Sequence, residues 1–102
     1  MTLIEALRNA ANIAVIVQLL GSYLETVEAY DRGRVLTETL TVRPVRGERD
    51  LERRYHDARH LLRRQLVADH ADHLVLAAEL VDVFGTAWER VRELEHSLEQ
   101  AA

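Results

Sequence analysis

Apolar residues recur along this chain with helical spacing in two regions, separated by a stretch that has none. From Thr2 to about Asp31 they fall on one line at Leu3, Leu7, Ala10, Ala14 and Val17, and on a second at Ile13, Ile16, Leu20, Tyr23, Val27 and Tyr30. The pattern predicts a long amphipathic N-terminal helix over residues 1–32, with an apolar face wider than one partner helix needs. Thr2 with Glu5 three residues on has capping-box spacing, and Gly33 stands where helices commonly end. Unbroken, this helix would be about 45 Å long.

Between Val35 and Gly47 threonines alternate with other residues, β-branched side chains are frequent and Pro44 forbids a continuing helix. Residues 33–47 therefore read as an extended connector. A lone strand has no stability of its own, so it is either an arm or irregular loop across the helices or a ribbon paired with a second copy.

From Glu48 to Phe84 there is no glycine or proline. Leu51, Tyr55, Leu62 and Leu66 mark one stripe of a basic helix over 48–68. A seam then steps by four and three through His70, His73, Ala77, Leu80, Phe84, Ala87, Val91, Leu94, Leu98 and Ala101, a heptad-patterned helix over 70–100. Asp69 or Asp72 can cap a new helix, giving a helical hairpin; without that corner the two segments form one long helix. The fold expected is all-α: an N-terminal helix, an extended connector and a C-terminal hairpin or long helix, in one domain over 1–102, assembled as a helical-bundle homodimer or higher oligomer.

Size sharpens the last point, since 102 residues bury only about two-thirds of their unfolded surface and association adds what a small core lacks. With no cysteine, disulfides and thiolate-bound metals are excluded. The apolar run Ala10 to Leu24 contains Asn12, Gln18 and Ser22 and is short for a bilayer span, and Glu5 interrupts any leader-like start, so a cytoplasmic protein without membrane partners is expected. Net charge is −4, but unevenly spread: three Arg against five acids over 1–42, eight against four over 43–64, two against eight over 65–102. The basic middle and acidic tail either lie against each other, within one chain or between two, or form a phosphate-binding strip.

Three constellations carry possible chemistry. His56 and His60 are four apart and His70 and His73 three apart, spacings that suit two imidazoles on one metal, although the neighbouring arginines at 53, 54, 59, 63 and 64 repel cations. Glu25-Thr-Val-Glu28 and Glu79-Leu-Val-Asp82 each put two carboxylates on one helix face, the arrangement that holds Mg²⁺ and shared phosphates. These two elements resemble the ExxE and ExxD helices of the all-α nucleoside triphosphate pyrophosphohydrolases, though further apart in the chain; the resemblance implies Glu25, Glu28, Glu79 and Asp82 as Mg²⁺ ligands. Arg54 to His60, and Arg64 to His70, are similar to the Arg-x(4–6)-His pattern of the helical HEPN ribonucleases, which implies a dimer in which arginine holds phosphate and histidine assists attack by a ribose hydroxyl. No Gly-rich phosphate loop is present, and neither Ser22 nor Ser97 has the setting of a nucleophile.

The leading expectation is a small, non-catalytic interaction protein, an adaptor, regulator or inhibitor, needing no cofactor. Leu80, Phe84, Trp88, Val91, Leu94 and Leu98 would carry self-association, and Arg53, Arg54, Arg59, Arg63 and Arg64 would meet an acidic or phosphorylated protein. The alternatives are the Mg²⁺-dependent pyrophosphohydrolase-like enzyme, and nucleic-acid or nucleotide binding through the strip 53–64.

Overall fold

Helices form where the sequence supplies caps and apolar stripes. The computed structural model describes residues 1–31, 45–68 and 71–101, with side chains over 1–27, 45–64, 66 and 74–97. Among the described residues the elements are α1 (Leu3–Arg8), α2 (Ile13–Asp31), α3 (Glu48–Ala68) and α4 (Ala71–Ala101), with no strand. The protein is all-α, and no described helix is long and apolar enough to cross a membrane. The expected extended segment at 33–44, and the possible corner at Asp69 and His70, lie outside the described residues.

The predicted unbroken N-terminal helix is instead two helices. Thr2 caps α1 as its spacing suggests, its Oγ1 accepting the Glu5 N–H at 3.2 Å. Asn9 ends α1: its backbone N–H and its side-chain Nδ2 both donate to the Glu5 carbonyl, at 3.0 and 2.8 Å. Asn12 Oδ1 then accepts the Val15 N–H at 3.0 Å and opens α2. Asparagine side chains compete with the helical ladder in this way, and the apolar stripe running on through Ala10 and Ala14 conceals the break. The turn is fixed to α4 by Arg90, whose Nε and Nη2 both donate to the Ala10 carbonyl, at 3.0 and 2.9 Å.

The start of α3 depends on Gly47, whose φ of 147° is closed to residues with a Cβ. Its carbonyl accepts the Leu51 N–H at 3.0 Å, and Asp50 Oδ2 accepts the Arg46 N–H at 3.0 Å. Just before it, Val45 is buried in the core.

α3 and α4 lie antiparallel, with Tyr55 of α3 against Gly85 and Trp88 of α4, and Glu48 near Glu89 and Glu93. The core is built around α4: Ala77, Leu80, Phe84, Ala87 and Val91 are at most 1% exposed, meeting Leu51, Ala58 and Leu61 of α3 together with Leu7, Ile16, Leu20 and Leu24 of α1 and α2. Each such large apolar side chain contributes roughly 1.5–3 kcal/mol. This corrects the self-association seam. Leu80, Phe84 and Val91 have no surface left for a second copy, and Trp88 and Leu94 are partly buried against the same core; the side chain of Leu98 lies outside the described residues. The 3–4 rhythm marks a helix packed along its length, and here its partners are in the same chain.

The buried stripe of α3 also differs from the one predicted. Leu51, Arg54, Ala58 and Leu61 face inward, Tyr55 and Leu62 flank them, and Leu66 is 59% exposed. Arg54 hides the true face from a hydrophobicity reading: it is 6% exposed, its stem lying among apolar groups while Nε reaches Asp50 Oδ2 at 3.4 Å.

Candidate functional site

Because α3 buries the side that holds Leu51, Ala58 and Leu61, its opposite side must face solvent. That side carries Arg49, Arg53, His56, His60 and Arg63, spaced by three and four, with Arg59 and Arg64 at its margins; all seven are exposed. Only Glu52 and Asp57 interrupt it among the described acids of this face, and Glu52 lies 3.9 Å from His56. Of the residues expected in the strip at 53, 54, 59, 63 and 64, Arg53, Arg59, Arg63 and Arg64 are exposed. Arg54 leaves the set, being buried and paired with Asp50. Arg49 joins it, one turn before Arg53, a position legible from the four-residue spacing.

The rim of this face toward α4 is aromatic. Tyr55 and Trp88 rings stand 5.5 Å apart, and His56 lies 5.6 Å from Tyr55 and 6.1 Å from Trp88. Arg59 sits over Tyr55 at 5.6 Å and Arg92 over Trp88 at 5.4 Å, so guanidinium groups already cover outer faces of the rings. The close approach requires Gly85: a Cβ there would lie 3.1 Å from Tyr55 Cε2. The indole N–H of Trp88 is buried and has no hydrogen-bond partner among the described residues.

The outward face of α4 has the opposite sign. Glu79, Asp82, Glu89 and Glu93 are all exposed there. Glu48, Glu89, Arg92, Glu93, Glu95 and His96 line an open groove of about 640 Å³ between the start of α3 and the second half of α4.

The carboxylates proposed for Mg²⁺ are not gathered. Tyr23 of α2 faces α4 and donates its hydroxyl to Glu79 Oε1 at 2.8 Å, while Glu25, two residues on, is turned to solvent; the side chain of Glu28 lies outside the described residues. No group of three or more His, Asp or Glu side chains able to hold a metal ion occurs among the described residues. Burial, aided by the Glu79 carboxylate, pushes the Tyr23 hydroxyl far above the usual phenol range, so this contact is a neutral donor held on an anion. The ribonuclease-like pair is likewise separated, with Arg54 in the interior and His60 on the outer face; the side chain of His70 lies outside the described residues.

The ionic geometry of the outer face suits recognition of negative charge by several guanidinium groups on one rigid element. No family model, curated protein or solved structure matches this chain.

Proposed function

We propose that the protein is a small, non-catalytic interaction protein whose working surface is the exposed face of α3, and that this surface takes an acidic partner protein. The observation that carries the reading is the placement of Arg49, Arg53, Arg59 and Arg63 in solvent on a helix held from behind by Leu51, Ala58 and Leu61. A helix fixed by its apolar side presents its charges without having to order them on binding, which lowers the entropic cost of association. Arginine is suited to the task because its planar fork meets carboxylate or phosphate in a two-bond geometry.

An acidic protein surface is favoured over nucleic acid for one reason. The nearby aromatic rings are engaged with each other and with Arg59 and Arg92, which leaves little surface for stacking bases.

The test is fluorescence anisotropy with a labelled Glu-rich helical peptide and a labelled single-stranded RNA, against the wild type and Arg53→Glu/Arg63→Glu. Peptide binding that weakens with salt and is lost in the variant supports the reading. RNA binding tighter than peptide binding would transfer the surface to nucleic acid, and binding unchanged in the variant would remove α3 from the account.

A further inference from the structure

The two charged segments of this chain meet through their apolar sides, and their charged sides point away. The ion pairs Arg54–Asp50, His56–Glu52 and Arg90–Glu93 each lie within one helix. Arg49, Arg53 and His60 of α3 and Asp82, Glu89 and Glu93 of α4 are all exposed on the same molecule.

Their spacings correspond. On α4, Asp82, Glu89 and Glu93 are exposed and step by seven and four, which keeps them within about 40° on one side of the helix. On α3, Arg49, Arg53 and His60 are exposed and step by four and seven, also on one side. Laid antiparallel, the two faces put Arg49 opposite Glu93, Arg53 opposite Glu89 and His60 opposite Asp82. The rows are equally long, about 16 Å at 1.5 Å per residue. Glu93 keeps capacity for this contact, since Arg90 Nη1 engages it through Oε2 at 3.0 Å and its side chain is 64% exposed.

We infer that a second copy of this chain is a partner of the α3 face, docking its α4 in that antiparallel register. The inference rests on the reading of α3 as the working surface and names one occupant for it. Each copy carries both faces turned away from each other, so copies add head to tail, the α3 of one taking the α4 of the next, as heterologous interfaces do. Contacts of this kind between exposed charges are individually weak and screened by salt, so the association is concentration-dependent and reversible. Association of this form covers the basic face of each copy it engages, and an external acidic partner has to compete with it.

Sedimentation of the purified full chain, with no partner present, tests this. At about 0.02 M salt the mean mass rises with concentration above that of one chain, and at about 0.5 M salt the association weakens by at least about tenfold. Arg53→Glu alone and Glu89→Arg alone each sediment as monomers at concentrations where the wild type associates, with unchanged circular dichroism. Mixed in equal amounts they associate again, because reversed charges face each other in the register. A wild type that is monomeric at low salt, or an association indifferent to both reversals, overturns the inference. Loss in each variant without recovery on mixing overturns the register. If the wild type is monomeric while the Glu-rich peptide still binds α3, the self-association is wrong and the working surface stands; if the peptide also fails to bind, the surface itself is wrong.

Discussion

α3 and α4 are neighbouring amphipathic helices that divide their residues in different ways. α4 spends an uninterrupted apolar seam, Ala77 to Val91, on the core and meets α1, α2 and α3 with it. α3 buries a narrower and mixed side, with Arg54 among its inward residues, and leaves a row of cations in water. The difference teaches where function can reside in a chain with no catalytic constellation among its described residues. Residues whose burial the fold requires are not free to recognise anything else, and those of α3 that the core does not use are.

Substitutions can break this division at its strongest point first. Phe84→Asp places an unpaired carboxylate in a fully buried site of α4 and is expected to abolish cooperative folding, at a cost above about 4–5 kcal/mol. Circular dichroism of the variant checks this; a folded monomer would return the residue to the interface role its heptad spacing suggests.

Arg90→Met tests the link from α4 to the α1–α2 turn. It removes two hydrogen bonds to the Ala10 carbonyl and should cost about 1.5–3 kcal/mol in urea unfolding, with α1 loosened first in hydrogen exchange.

The two helical glycines sharpen the contrast. A Cβ at Gly21 meets nothing within 4 Å among the described residues, so Gly21→Ala should stabilise by up to about 1 kcal/mol. At Gly85 the same change presses on Tyr55, which is boxed in by Trp88 and Arg59, and the overpacking of about 1–3 kcal/mol should cancel or exceed the helical gain. Thermal midpoints of the two variants moving in the same direction would count against that packing.

A modest effect is expected at Tyr23→Phe, which removes one hydrogen bond to an exposed carboxylate and costs about 0.5–1.5 kcal/mol. Its signature is in the pH dependence. The folded-state hydroxyl titrates above its unfolded value of about 10, so above that pH the unfolded chain binds fewer protons and stability falls, by at most about 1.4 kcal/mol per pH unit for this group. Denaturant unfolding between about pH 9 and 11 should show a steeper alkaline decline in the wild type than in Tyr23→Phe.

Much of this was legible in the residues. The helical class follows from the apolar spacing, and Ala77, Leu80, Phe84, Ala87 and Val91 all lie on the seam that their steps of three and four define. What the seam packs against was not legible, because the same period serves a second copy or the same chain. Asn9 and Asn12 were readable as caps, yet the apolar lines crossing them outweighed two polar residues. On α3 the buried stripe was displaced by Arg54, since hydrophobicity alone places an arginine outside while a long stem and a partner at Asp50 let it lie within. For the candidate Mg²⁺ set, helical spacing puts two carboxylates on one face but does not say which way that face turns, and with Tyr23 on Glu79 the side chain of Glu25 is in solvent.

The central claim is that the exposed arginines of α3 serve recognition and not the fold. Urea unfolding of Arg53→Glu/Arg63→Glu beside the wild type tests it most directly. The account predicts a stability within about 0.5 kcal/mol of the wild type, as for other exposed substitutions. A loss of 2 kcal/mol or more, about the size expected for Arg90→Met, would contradict it by showing that these arginines belong to the structural frame.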